Sequence, residues 1–288
     1  MRGSAGSRGN HGRFSRKAII GVLAALVLVL SGTAAALTLV PASSPVAVSL
    51  ESAGTPGAHP FTPPIGTDQP GLTLLAGSGG TVSGGTPGLY GGTMRKASCN
   101  PRQLVSFLRA HPDKAAAWAS VLGIRPAAIP GYVAGLTSAV LRSDTAVTNH
   151  GYIDGHATSF PAVLQAGTAV LIDRYGQPVT KCFCGNPLTK PVAYSQLTYT
   201  GKSWRSFSPA SITYIKQTTT HTNSFTLLNP ATGATFSRPA GSSGSADQPL
   251  APTVTGPAGT PTVTGPAATP TVTGPAATPT VTGPAATS

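Results

Sequence analysis

In the middle of the chain, hydrophobic positions recur first with the period of an α-helix and then with the period of two that is typical of strands. Asn100 is suited to cap a first helix, because Pro101 follows it and Gln103 occupies the third helical position. A second helix is predicted over 112–123, where a glycine after the last turn can end it. A third, shorter helix is predicted to begin at 130–131.

Beyond Thr137 the alternation of apolar and polar positions, together with many β-branched residues, predicts strands. The predicted strands are 139–142, 145–149, 167–172, 178–183, 212–217, 223–228 and 234–237. Those at 167–172 and 178–183 are predicted to form a hairpin around the turn residues 173–176. Because helices precede strands instead of alternating with them, we expect an α+β fold. In this fold a small N-terminal part of two or three helices packs on a mostly antiparallel β part.

An uncharged stretch of 23 residues, 18–40, follows a basic N-terminal segment. Residues 1–17 contain five basic residues and no acidic ones, which predicts a cytoplasmic tail followed by a transmembrane signal anchor at 18–40. The alternative is a cleaved signal peptide with its cleavage site at the small residues 34–36, which would release a secreted protein. Both interpretations place the rest of the chain outside the cytoplasm, and the first makes the cell membrane a partner.

Glycine and proline are abundant, with 35 and 28 among 288 residues, and charged residues make up only 9%. This composition excludes one uniform globule. Of the 17 aromatic residues, 15 lie between Tyr90 and Phe236, which predicts a folded extracytoplasmic domain at 89–238. The flanking arms are predicted to be a disordered linker at 41–88 and a disordered tail at 239–288. The tail contains four nonapeptide repeats whose threonines suit O-glycosylation.

Residues 90–238 contain 14 Lys and Arg residues against four Asp residues. A basic domain attracts polyanions in general, but export from the cytoplasm excludes nucleic acid as a partner. We therefore expect a non-enzymatic module of the cell envelope that binds an anionic wall polymer or an envelope protein through a basic face. The candidate residues of this basic face are Arg95, Lys96, Arg102 and Arg109, near the first predicted helix.

Three cysteines, Cys99, Cys182 and Cys184, are the candidates for covalent or redox chemistry. In an oxidising exterior we expect a disulfide from Cys99 to either Cys182 or Cys184, which leaves one thiol. The two later cysteines are two positions apart on a predicted strand, so they face the same side. The alternative is an extracytoplasmic thiol-redox enzyme that uses Cys182 and Cys184.

His150, Asp154 and His156 form the single compact group of metal-ligand or acid-base residue types. The glycines beside them favour a polar hairpin loop, and two histidines are too few for a closed metal site. The alternative is a hydrolase that uses His150 and Asp154, or the carboxylate pair of Asp144 and Asp154. No motif indicates a cofactor or a resident metal, so neither is expected.

Several phrases of the sequence stand in a characteristic order: GLYGGT at 88–93, VTNHGY at 147–152, LQAGTAVL at 164–171 and CFCGNPL at 182–188. Taken together, they resemble a domain of unknown function found in actinobacterial exported and membrane-anchored proteins. The resemblance covers about 150 residues. It implies localisation and domain boundaries, and it brings with it no catalytic residue, substrate or partner.

Overall fold

A computed structural model describes residues 44–72 and 79–251, which are mostly strands with three short helices. The helices are α1 (Pro101–Ala110), α2 (Pro112–Val121) and α3 (Ile129–Ala134). The strands are β1 (Val46–Glu51), β2 (Gly80–Ser83), β3 (Tyr90–Gly91), β4 (Thr137–Leu141), β5 (Thr145–Asn149), β6 (Tyr152–Ile153), β7 (His156–Ala157), β8 (Phe160–Leu164), β9 (Ala169–Ile172), β10 (Pro178–Lys181), β11 (Asn186–Thr189), β12 (Leu197–Thr200), β13 (Thr213–Lys216), β14 (Ser224–Leu228), β15 (Thr235–Pro239) and β16 (Gln248–Pro249).

Fourteen strands of the described residues join into one mixed sheet. Its main path runs β12-β1-β8-β5-β11-β10-β9-β4-β3-β14-β15-β16, and β13 pairs with both β2 and β5. β1 runs parallel to both of its neighbours, whereas the central run from β8 to β4 is antiparallel. A separate hairpin is formed by β6 and β7.

The prediction of a helical part packed on a mostly antiparallel β part is wrong, because the fold is dominated by one large mixed sheet. Seven of the fourteen strands of this sheet lie outside the predicted set, and two of them, β3 and β16, have only two residues. Central strands such as β4 and β5 are buried at every position, so they show no alternation between a core face and a solvent face. The parallel pairs join segments distant in sequence, which local periodicity cannot reveal.

The prediction of a disordered linker at 41–88 is wrong for much of its described part. β1 lies between β8 and β12, and Phe61 and Ile65 are buried in the same core as Trp118. The predicted domain boundary at residue 238 is also too early, because the sheet continues through β16. The predicted anchor, the cytoplasmic tail and all four repeats lie outside the described residues. No helix within the described ranges is long and apolar enough to cross a membrane.

The helix ends follow the local sequence. Asn100 caps α1, because its side-chain oxygen accepts a hydrogen bond from the Gln103 amide at 3.1 Å. The Gln103 side chain donates to the Pro64 carbonyl instead of returning to Asn100. After α2, Gly123 has a φ of +66°, and the Ile124 amide donates back to Ala119 at 3.1 Å. The two predicted caps are therefore confirmed.

The helices cover one face of the sheet through a hydrophobic core. Leu104 and Leu108 of α1 and Trp118 of α2 are fully buried against β9 and the residues after β10. The Trp118 indole also donates to the Gly185 carbonyl at 3.1 Å, so its polar atom is satisfied inside the core. This packing places the outer face of α1 at the surface, where the predicted basic residues lie.

Candidate functional site

The cysteines form one disulfide, between Cys99 before α1 and Cys182 after β10, with Cα atoms 5.7 Å apart. Cys184 is free and buried, and burial raises the pKa of its thiol to about 12. The predicted strand at 178–183 ends earlier, because β10 stops at Lys181 and residues 182–185 form a turn. Cys182 and Cys184 therefore belong to a turn rather than to one face of a strand. The one remaining thiol is held in its unreactive protonated form.

The group of His150, Asp154 and His156 divides between the base and the tip of the β6–β7 hairpin. His150 is half-buried at the base, where Nδ1 donates to the Thr158 carbonyl and Nε2 bonds the Thr189 hydroxyl, both at 2.9 Å. Burial lowers the pKa of His150, which favours the neutral ring, and with the proton on Nδ1 the Nε2 atom accepts from the Thr189 hydroxyl. Asp154 and His156 are exposed at the tip. In the described part of the chain, no three His, Cys, Asp or Glu residues are grouped to hold a metal ion.

Asp144, the other carboxylate of the predicted pair, is buried and fully engaged. Its two oxygens accept hydrogen bonds from the Ala166 amide and the Trp204 indole, each at 2.9 Å. Burial raises the pKa of Asp144, and these two donors partly offset the effect. Of the two carboxylates, Asp154 alone is open to a substrate.

The four residues of the basic face are all exposed. Arg95 and Lys96 lie in a turn that leads into α1, and Arg102 and Arg109 project from α1 itself. The two ion pairs found within the described ranges involve Lys181 and Arg238, so the basic-face residues have no carboxylate partner there. Their positive charge is consequently available to a ligand.

Three grooves of the described surface adjoin α1 and contain arginines of the basic face. The largest, of about 1200 Å³, runs between the α1 N-terminus and residues 64–67, and Arg102 lines it. A second, of about 420 Å³, lies between α1 and α3 and is lined by both Arg102 and Arg109. A third, of about 320 Å³, continues past Arg109 toward α2. We call these the α1 grooves, and no carboxylate lines any of them.

Burial of acidic residues makes the surface more basic than the composition suggests. Of the seven acidic residues, four are buried: Glu51, Asp68, Asp144 and Asp247. The buried basic residues are Lys181 and Arg238, so twelve basic side chains remain against three acidic ones over the described surface. Sequence reasoning had placed Glu51 in a linker and therefore missed its pairing.

Sequence reasoning also missed a buried polar cluster made of Glu51, Lys181, Asn149 and Asn186. Lys181 Nζ lies 2.8 Å from Glu51 Oε2, with side-chain exposures of 0% and 2%. The Asn149 amide donates to both Glu51 oxygens at 2.9 and 3.0 Å, and Asn186 donates to Asn149 Oδ1 at 3.2 Å. The four residues come from β1, β5, β10 and β11. Its one local signal was a charged residue at the end of an apolar strand, as in VAVSLE and PVTK.

Comparison with known proteins yields one match. A family model described as a domain of unknown function (DUF6777) matches residues 80–241, a range that contains all four residues of the basic face. No curated protein and no solved structure matches the chain. The predicted resemblance to a domain of unknown function is thus confirmed at that level. The actinobacterial and exported context that it implies stays a prediction.

Proposed function

Because the chain belongs to DUF6777, a family defined by a domain of unknown function, we propose its role from its own surface. We propose that it is a non-enzymatic module of the cell envelope, held at the membrane by residues 18–40, and that it binds an anionic wall polymer. The basic face is the contact surface. An acidic envelope protein is the alternative ligand for the same residues.

The observation that carries this proposal is the pair of arginines along the α1 grooves. Arg102 and Arg109 are seven residues apart on α1, which is about two turns or 10 Å along one helix face. A guanidinium binds phosphate or carboxylate oxygens through two parallel hydrogen bonds. The spacing lets one linear polyanion contact both arginines while it lies in the grooves.

The wider charge distribution supports the same ligand class. Twelve basic and three acidic side chains outside the core give the described surface an excess of positive charge. Such an excess attracts a polyanion over distances up to the Debye length, about 8 Å at physiological salt. Arg95 and Lys96 would add positive charge beside the largest groove, because the next residue along the chain, Ala97, lines that groove.

An extracytoplasmic enzyme that uses Cys182 and Cys184, or His150 and Asp154, draws less support. Cys182 is bonded to Cys99, and Cys184 is buried with a raised pKa. Both ring nitrogens of His150 are occupied by hydrogen bonds within the domain. The candidate catalytic residues Cys182, Cys184, His150 and Asp154 do not line the α1 grooves.

Sedimentation with purified cell wall tests the proposal. The full chain, in detergent, is mixed with wall that retains its anionic polymers and with the same wall after their extraction. We expect binding to the first wall that weakens as salt is raised, and little binding to the second. Replacing Arg102 and Arg109 by Gln should weaken binding about tenfold or more, because two charge-assisted contacts are lost.

A matched control separates the α1 grooves from net charge. Replacing Lys202 and Arg205 by Gln removes the same charge from an exposed loop after β12. This control should change binding about twofold or less. No retention at low salt, or equal losses in the two double variants, would contradict the proposed surface.

A further inference from the structure

The strand register brings Lys181, Asn186 and Asn149 to the same face of the sheet. Lys181 of β10 stands opposite Asn186 of β11, and Leu188 of β11 stands opposite Asn149 of β5. Directly opposed residues share a face, and so do residues two apart on one strand. Lys181 and Asn149 thus flank β11 on one side of the sheet, two strand spacings apart and offset by two residues along β11.

Glu51 of β1 joins these two side chains. Its Oε2 accepts hydrogen bonds from Lys181 Nζ at 2.8 Å and from Asn149 Nδ2 at 3.0 Å. Gly57 covers the carboxylate, since a Cβ atom added there would lie 2.8 Å from Oε1. The amine, the amide and the acid are therefore held together in a site nearly closed to water.

A backbone donor determines the orientation of both asparagine amides. The Phe61 N–H donates to Asn186 Oδ1 at 2.9 Å, which directs the Asn186 NH₂ group toward Asn149 Oδ1. Asn149 must then direct its own NH₂ group toward Glu51, as the two hydrogen bonds of 2.9 and 3.0 Å show. The carbonyl oxygen of Asn149 faces a donor, and its nitrogen faces an acid.

Lys181 is poorly satisfied as a cation. An ammonium has three N–H donors, yet within the described residues Lys181 Nζ makes a single side-chain hydrogen bond, to Glu51. A buried charge with unmet hydrogen bonds is costly, whereas a neutral amine beside a neutral acid avoids that cost. A neutral amine is also a nucleophile, because its lone pair is free.

We propose that Lys181 and Asn149 form an intramolecular isopeptide bond, with Glu51 as the proton-transfer group and Asn186 as the donor to the carbonyl oxygen. The bond would covalently connect β10 to β5 across β11. This modification does not depend on the proposed polymer binding. It requires no oxidant, cofactor or second protein.

The reaction begins with transfer of a proton from the Lys181 ammonium to Glu51 along their hydrogen bond. The amine lone pair then attacks Cγ of Asn149, and the carbonyl electrons move to Oδ1, where the Asn186 N–H stabilises the developing charge. Glu51 delivers its proton to Nδ2 and accepts one from the attacking nitrogen. The carbonyl re-forms, the Cγ–Nδ2 bond breaks and ammonia leaves. The proton left on Glu51 passes to ammonia, which departs as ammonium.

Peptide mapping of the full chain tests the proposal directly. The purified protein is checked for a cooperative unfolding transition, reduced, alkylated, digested with trypsin and examined by tandem mass spectrometry. We expect peptides 143–174 and 175–202 to be joined through Lys181 and Asn149, with a mass one ammonia below their sum, because Pro191 prevents cleavage after Lys190. Trypsin should not cut after Lys181. Recovery of peptide 143–174 without a link, together with cleavage after Lys181, or a link from Lys181 to Glu51 or Asn186, would overturn the assignment.

Three variants separate the chemistry from the fold. Lys181→Arg keeps the cation beside Glu51 but cannot form the amide, so peptide 143–174 should be released unlinked and trypsin should cut after position 181. Glu51→Gln removes the proton-transfer group, and a link as complete as in the wild type would overturn its role. Lys190→Arg changes an exposed lysine and should leave the link intact, so its loss in that variant would also count against the proposal.

Discussion

At the scale of single residues, buried charges in this domain hold surface segments in place. Arg238 is the clearest case, since its guanidinium bonds both oxygens of Asp247 at 2.9 and 2.6 Å. It also donates to the carbonyls of Ser138, Thr93 and Lys96. The last two belong to the turn before α1. A buried arginine therefore positions the turn that presents Lys96 and its neighbour Arg95 to solvent.

The thiol of Cys184 should be unreactive in the folded protein. Because burial raises its pKa to about 12, the thiolate fraction at pH 8 is about one in 10,000. We expect a thiol-specific reagent to label the native chain at least about 1000-fold more slowly than the denatured chain, and the native rate to rise with pH. The denatured, non-reduced chain should yield one thiol. Cys184→Ser should yield none, and rapid native labelling of the wild type would contradict the prediction.

At the scale of elements, the turn between β10 and β11 connects several parts of the fold. Its carbonyls accept hydrogen bonds from the amides of Thr62 and Ile65 at 2.9 Å each and from the Trp118 indole. Gly185 has a φ of +65°, and a Cβ atom there would lie 2.3 Å from the Thr62 side chain. The same turn contains Cys182, which binds the residue that precedes the cap of α1. Its conformation is thus determined by three segments at once.

Reduction of the disulfide should destabilise the fold strongly. The bond closes a loop across a sequence separation of 83 residues. In the chain-entropy model this constraint is worth about 4 kcal/mol in the free energy of unfolding. Denaturant titration of the full chain with and without reductant measures the loss. Cys184→Ser should lose a similar amount on reduction, and a loss below about 1 kcal/mol in the wild type would be inconsistent with this role.

The element scale also shows which local predictions were confirmed. The α1 cap and the glycine after α2 depend on residues within one turn, so the sequence contained the necessary information. The β9–β10 hairpin is confirmed as well, because the intervening turn residues signal it. Two-residue strands such as β3 and β16 exist through their partners alone. Two residues are too few to show the alternation of apolar and polar positions that predicts a strand.

At the scale of the whole molecule, residues far apart in the chain complete one sheet. β1 enters between β8 and β12, and residues 61–66 cover the turn after β10. The Pro- and Gly-rich composition of 41–88 suggested a spacer, yet Val48, Leu50, Phe61 and Ile65 are buried in the core. The low apolar content of this segment therefore did not prevent it from folding, because the rest of the sheet supplies the surface against which its apolar residues are buried.

Hydrogen exchange of the full chain tests whether residues 46–66 belong to the folded domain. Amides of β1 are paired on both sides, and those of Thr62 and Ile65 donate to the β10–β11 turn. We expect peptides that cover residues 46–51, 62–66 and β5 to exchange slowly by mass spectrometry. The exposed segment 192–196 serves as the rapidly exchanging control. Rapid exchange throughout 46–66 would show that this segment is a linker after all.

The basic face and the buried cluster differ in how far sequence could predict them. Arg102 and Arg109 are seven residues apart on a helix with a clear cap, so their common exposed side followed from helical geometry. The grooves beside them depend on α3 and residues 64–67, which no local pattern relates to α1. Glu51 and Lys181 are 130 residues apart and meet only through the strand order.

The sequence by itself determined the helix caps, the β9–β10 hairpin and the excess of basic residues, because each depends on residue type and near neighbours. Tertiary structure alone decided that Cys99 pairs with Cys182, that β1 belongs to the sheet, and that Glu51, Lys181 and Asn149 share one buried site. These features depend on strand order and register between distant segments. The free energy that selects that arrangement comes from packing the whole sheet, and no single segment contains it.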